Sequence, residues 1–241
     1  MRTTQILGLA LAVGLVVATA AYFVIPSFFT KSASSVCTGG VYGAQTTYLT
    51  TDELGTQLFN LTYTRNGVQE NGLYYGFTSN SLSWIKNNTA SDATFLSWWD
   101  YGKEVTGCTG RNSVVSNPSA QLIALGSTKN VTERDSNQVV ADVATALFTN
   151  NVTLSNSILS KYGANYVFVT TEDGGEKAPY ILQLLGLKST DYMTPSGAPF
   201  NAADWTNLGQ QTVVYKLLTG QGVSGVTQVY SDAHVKIFEV G

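Results

Sequence analysis

Trp98-Trp99-Asp100-Tyr101-Gly102 is the stretch of this chain best equipped for chemistry, and it uses two of the only 4 tryptophans present. Each indole offers one N–H donor and no acceptor, whereas an ionised aspartate only accepts. Side by side they complement a hydroxyl group, which donates once and accepts twice. The residues entering the motif, Thr94 to Ser97, are apolar and β-forming, so they read as a buried strand. The motif then falls at a strand's carboxyl end, where α/β folds place ligands. The alternative is a tryptophan pair that anchors a core, with Asp100 capping the next helix.

Other chemistries are poorly supplied. The single histidine, His234, lies in a β-like tail and reads as a surface or core residue. Cys37 and Cys108 lack metal-ligand spacing and are candidates for one disulfide in an oxidising compartment. A nucleotide-binding glycine fingerprint, a phosphate loop and a Gly-x-Ser-x-Gly nucleophile turn are all missing. Only 12% of the 241 residues are charged, the formal net charge is -3, and no Lys/Arg cluster is visible, which argues against nucleic acid. Asn-x-Ser/Thr acceptors for glycosylation stand at Asn60, Asn87, Asn130 and Asn151.

Those acceptors fit an extracytoplasmic surface, and so does the amino terminus. Ile6 to Phe29 is nearly continuously apolar, longer than the ~20 residues that cross a bilayer as a helix. It predicts a single transmembrane anchor after a short cytoplasmic segment at 1–5. The rival is a cleaved signal peptide ending near Ala18-Thr19-Ala20.

The rest must position the motif. Residues 30–79 are rich in Gly, Ser, Thr, Asn and Tyr and read as a stem or small β-rich apposition. Residues 80–241 read as an α/β (mixed α+β) domain, a central sheet flanked by helices. A helix capped by Ser79 or Asn80 carries Leu82, Trp84 and Ile85. The strand before Trp98 follows, then a polar segment at Lys103–Gly110, a short strand at Ser113–Val115 and an ambiguous apolar run at Leu122–Leu125. A helix from Asp135 or Ser136 shows Val139, Val140, Val143 and Leu147 on one face, and Glu133-x-Asp135 is its cap. A second helix carries Leu154, Ile158, Leu159 and Tyr162 and stops at Gly163. Tyr166–Val169 is a strand, and Pro179 fixes a helix start near Lys177. A loop spans Lys188–Leu208, and Thr212–Leu217, Val226–Tyr230 and Val235–Val240 close the chain as strands.

The double-tryptophan motif resembles the signature of the C-terminal extracytoplasmic domain of oligosaccharyltransferase catalytic subunits, the enzymes of asparagine-linked glycosylation. Leu82-Ser83-Trp84-Ile85-Lys86 with Asn88-Thr89 before it, and Gly107, Arg111-Asn112 and Val114-Val115 after it, look like the family's flanking segments. The resemblance covers roughly residues 80–240. It implies that Trp98, Trp99 and Asp100, with Tyr101 and Gly102, bind the Ser/Thr of an acceptor Asn-x-Ser/Thr polypeptide. It also implies a second contact on a helix bearing an Asp–Lys motif, for which Asp173, Lys177 and Ile181 are the nearest residues. Here Asp173 and Lys177 stand four apart where the family spaces them by three, and Pro179 interrupts the helix.

The family's metal-binding acidic residues lie in a many-helix membrane portion that has no counterpart in this sequence, and there is no Asp-x-Asp pair. No cofactor is therefore expected in this chain; the divalent metal and the lipid-linked oligosaccharide are expected only in a catalytic partner subunit. The reading that follows is a single-pass membrane protein whose main domain, outside the cytoplasm, recognises acceptor sequences without catalysing transfer alone. A cell-surface structural protein reusing the domain and a fragment of a longer glycosyltransferase are the alternatives.

Overall fold

Residues 36–52, 55–116 and 138–241 are described by the structure, a computed structural model. The apolar runs Ile6–Phe29 and Leu122–Leu125, the acceptor at Asn130 and the pair Glu133-x-Asp135 lie outside those residues. Among the described residues no helix is long and apolar enough to cross a membrane.

The stretch read as a stem is organised by one hairpin. Asn66 and Gly67 both adopt positive φ, 52° and 76°, the pair of left-handed residues that a two-residue turn needs to match strand twist. The turn joins β2 (Gln57–Arg65) to β3 (Val68–Tyr75), and β1 (Gln45–Thr51) pairs with the other side of β2, all antiparallel. One face of this sheet, bearing Phe59, Leu61, Tyr63 and Tyr74, is buried.

That face packs on a helix where the sequence suggested a polar segment. After α1 (Ser79–Asn88) and β4 (Thr94–Leu96), helix α2 runs from Trp99 to Thr109 and ends at Gly110. Its polar residues misled because they are buried with partners rather than exposed. Lys103 pairs with Glu70 of β3, and Glu104 accepts the Tyr75 backbone N–H at 2.9 Å. Glycines let helix and sheet approach. A Cβ on Gly107 would stand 2.5 Å from the Tyr63 ring, and one on Gly72 would stand 2.6 Å from Lys103 Cβ. Cys108, near the end of α2, is disulfide-bonded to Cys37, 71 residues earlier.

The second sheet is mixed, in the order β5-β4-β6-β8-β7. Its further strands are β5 (Asn112–Ser113), β6 (Tyr166–Thr170), β7 (Val226–Ser231) and β8 (Val235–Val240). β4 runs parallel to both β5 and β6, while β8 is antiparallel to both of its neighbours. On one face Phe95 stacks on Tyr166 at 4.9 Å, and Phe168 meets Tyr101 of α2 at 5.6 Å. The other face, with Leu96 and Val167, is lined by α3 (Gln138–Phe148), α4 (Val152–Lys161) and α7 (Val213–Thr219) through Leu147, Leu159, Val213 and Leu217. Helices on both faces of a mixed sheet are the expected α/β class.

Local differences have local causes. Thr212–Leu217 reads as a strand because Val213, Val214 and Tyr215 favour one. It folds instead as α7, with the Thr212 hydroxyl accepting the Tyr215 N–H and Val213, Val214, Leu217 and Leu218 all buried. On α3 the buried stripe is Val140, Val143, Ala144 and Leu147, while Val139 turns outward. The expected strand at Ser113–Val115 is the shorter β5. The 188–208 loop contains a short helix, α6 (Ser189–Tyr192), and a bridge between Met193 and Trp205.

Changing Cys37 and Cys108 together to serine is expected to cost about 2–4 kcal/mol through greater freedom of the unfolded chain. Urea unfolding measures it; an unaltered midpoint means that the bridge constrains nothing.

Candidate functional site

β4 and β6 run parallel and end at the same edge of their sheet, so the residues that follow them meet there. Trp98–Asp100 follow β4; Glu172 and Asp173 follow β6.

Trp98 is the residue before α2 and is 5% exposed, while Trp99 is half-buried in its first turn. Their ring centres lie 6.3 Å apart. Neither indole N–H has a hydrogen-bond partner among the described residues, in contrast to Trp205, whose N–H reaches the Gly174 carbonyl at 3.0 Å. Asp100 does not cap the helix. Its Oδ2 is 2.9 Å from Lys177 Nζ, and Oδ1 has no hydrogen bond among the described residues.

Lys177 is the hub. It precedes α5 (Ala178–Leu184), whose start Pro179 fixes. Its ammonium lies 2.8 Å from Glu172 Oε2 and donates to the Tyr101 hydroxyl at 2.6 Å. It also sits over the rings of Tyr101 and Tyr75, 4.2 and 4.7 Å from their centres. Burial opposes its charge, but Asp100 first, then Tyr75 and Glu172, outweigh that and hold it above the ordinary lysine range.

Tyr101 is completely buried, and burial first, then the surrounding carboxylates, keep its hydroxyl protonated. That hydroxyl donates to Glu172 Oε2 at 2.8 Å and stands 2.9 Å from Thr170 Oγ1, while it accepts from Lys177. One donor and two acceptor sites are thereby all engaged, with Thr170 as a donor. Gly102 is needed for space, since a Cβ there would strike the Val115 carbonyl oxygen. Tyr101 and Gly102 thus lie beneath the Trp98–Asp100 rim and shape it. Ile181, one turn beyond Lys177, is wholly buried.

The lysine's partner after β6 is Glu172. Asp173 turns back, Oδ2 accepting the Thr170 backbone N–H at 2.9 Å, and its buried Oδ1 has no partner. Burial pushes this carboxyl up to about 7 against the pull of Lys177. Glu104, one turn along α2 from Asp100, is fully buried with Oε1 unpartnered, and burial drives its carboxyl well above the usual range.

Sequence reasoning missed Tyr75, Glu104 and Glu172. Only Glu172 carried a signal, its place just past the strand at Tyr166–Val169. These carboxylates do not suit a metal ion, because the Lys177 ammonium already takes the position between Asp100 and Glu172 that a cation would need. No metal-holding group of His, Cys, Asp and Glu occurs among the described residues. His234 is exposed, its ring 5.3 Å from Phe77. Of the acceptor asparagines, Asn60 is exposed on β2, Asn87 is exposed near the end of α1, and Asn151 precedes α4 with its Oδ1 accepting the Leu154 N–H.

No protein-family profile matches the chain. It is 35% identical over 51 residues to the STT3B subunit of dolichyl-diphosphooligosaccharide–protein glycosyltransferase of Arabidopsis thaliana, a stretch making up 21% of this chain and 7% of that protein. It is 47% identical over 34 residues to the stt-3 subunit of Caenorhabditis elegans, 14% of this chain and 4% of that protein. The chain thus spans a small part of the length of the curated relatives it matches. Among solved structures, the C-terminal globular domain of an oligosaccharyltransferase from Archaeoglobus fulgidus superposes with a TM-score of 0.50 at 21% identity, over 67% of this chain and 95% of that one. The resemblance to oligosaccharyltransferase C-terminal domains therefore holds in fold, with short stretches of sequence similarity to STT3 subunits.

Lys177→Met leaves Asp100 and Glu172 without their shared cation and is expected to cost about 3–5 kcal/mol; a loss below about 1 kcal/mol in urea unfolding would mean that water screens the pair. Asp173 gives a pH dependence of definite sign. From about pH 4, where an unfolded aspartate ionises, up to about pH 7, the folded protein keeps a proton the unfolded chain has lost, so stability falls as pH rises. Asp173→Asn is expected to reduce that slope, with Glu104 supplying a remainder of the same sign; an unchanged slope excludes Asp173 as its source.

Proposed function

We propose that this chain is a receptor for the side-chain alcohol of Asn-x-Ser/Thr acceptor polypeptides, an accessory or split component of an oligosaccharyltransferase in protein N-glycosylation. One observation carries the reading: two indole N–H groups without partners among the described residues immediately precede a carboxylate that, among those residues, is tethered through one oxygen.

The chemistry follows from the donor and acceptor inventory. A ligand hydroxyl takes the indole N–H groups on its oxygen and gives its proton to Asp100 Oδ1. Lys177 on Oδ2 holds that carboxylate in place, so little ordering remains to be done on binding. A ligand without the hydroxyl leaves these groups desolvated and unpaired, which costs about 1–3 kcal/mol for each. Sites built to pair a hydroxyl discriminate strongly on this ground. The likeness in fold to an oligosaccharyltransferase domain supports the assignment to N-glycosylation. On this reading the run at 6–29 holds the domain at the outer side of the cell membrane, and a catalytic subunit brings the divalent metal and lipid-linked oligosaccharide.

Titrating an Asn-x-Thr peptide while following tryptophan fluorescence tests it. A saturable change is expected, weakened about tenfold or more in Trp99→Ala and Asp100→Ala, a difference of at least about 1.4 kcal/mol. Equal affinity for an Asn-x-Ala peptide would end the reading.

A further inference from the structure

The three-stranded sheet leaves its outer face uncovered, and an acceptor asparagine stands in the middle of it. In the ladder Thr47, Asn60 and Leu73 lie abreast, and Gln45, Thr62 and Asn71 form the neighbouring rank on the same side. Asn60 and Thr62 of one Asn-x-Thr triplet therefore share the outward face, opposite buried Phe59, Leu61 and Tyr63. The Asn60 amide is exposed and bonded to nothing among the described residues. The other described acceptors are tied into helix ends. Thr89, of the Asn87 triplet, donates its hydroxyl to the Ile85 carbonyl at 2.8 Å and accepts from Arg111 Nε at 3.1 Å. Asn151 uses its side-chain oxygen to cap α4.

The edge beside this face is lightly guarded. Among the described residues β1 pairs only with β2, and it carries no charged residue and no proline, two of the usual devices against strand-to-strand association. A register shift near Leu49 interrupts one end, but Gln45–Tyr48 remains a regular run, and Tyr48 and Leu49 are 39% and 49% exposed. Asn60 is one strand in from that edge, about 5 Å away.

We propose that Asn60 carries an N-linked glycan, which covers the outer face of the sheet and screens the β1 edge. In the transfer, Asn60 Nδ2 forms a bond to the anomeric carbon of a sugar held on a lipid-phosphate donor. The sugar–phosphate C–O bond breaks, the lipid phosphate leaves with the electron pair, and one amide proton passes to solvent. Because β2 is paired on both sides, transfer precedes closure of the sheet.

The test is mass spectrometry of the Asn60-bearing peptide from full-length protein isolated from its own cells, with sedimentation of the intact protein. A sugar mass on Asn60 is expected, absent in both Asn60→Gln and Thr62→Val. The Asn60→Gln protein is expected to form the Cys37–Cys108 bridge and bind acceptor peptide as before, yet to self-associate at lower concentration. Finding Asn60 only unmodified overturns the proposal, and an unchanged sedimentation profile of Asn60→Gln overturns the screening role. Peptide binding is read separately, so neither result bears on the receptor reading.

Discussion

The ammonium of Lys177 is the contact on which the site depends. It is enclosed by Asp100 and the Tyr101 hydroxyl on α2, Glu172 after β6 and the Tyr75 ring at the end of β3. Three segments far apart in sequence converge on one charge. Removing any partner leaves a desolvated ion, so the arrangement specifies geometry more than it adds net stability. Lys177 thereby fixes Asp100, the residue that follows the two tryptophans, through one carboxylate oxygen.

This division of labour explains the order of residues in the motif. Trp98, Trp99 and Asp100 come just past the strand end and in the first helical turn. Tyr101 and Gly102 then turn inward, one saturating its hydroxyl in the charge cluster and the other admitting the Val115 carbonyl. Of the five residues, Tyr101 and Gly102 are packed into the interior, and Trp98, Trp99 and Asp100 are the three that the proposed receptor would use. The double-tryptophan signature so combines indole N–H groups without partners among the described residues with close packing at the two residues that follow.

Much of this was legible in the residues. The donor and acceptor types of Trp98–Asp100, the apolar strand before them and the existence of α3 and α4 read directly, because each is a local pattern; the face they bury did not read fully, since Val139 and Leu154 are exposed. Lys103–Gly110 and Thr212–Leu217 did not, because tertiary burial overrode local preference. Glu104 and Lys103 look like solvent-facing charges until β3 supplies Tyr75 N–H and Glu70. A β-branched run became α7 because the space beneath the sheet takes a helix, with Thr212 to cap it. The Asn66-Gly67 hairpin, by contrast, was a short-range signal within residues whose overall composition resembled a stem.

The amino-terminal sheet is more than an appendage to the domain that bears the motif. Its Tyr75 roofs the lysine, its backbone N–H occupies Glu104, and the Cys37–Cys108 bridge rivets it to the helix carrying Asp100. Trimming the protein back to the portion that begins at α1 would therefore admit water to the charge cluster and loosen Asp100, the residue that follows the two tryptophans. The smallest portion that keeps this charge cluster intact therefore begins before this sheet, ahead of Cys37.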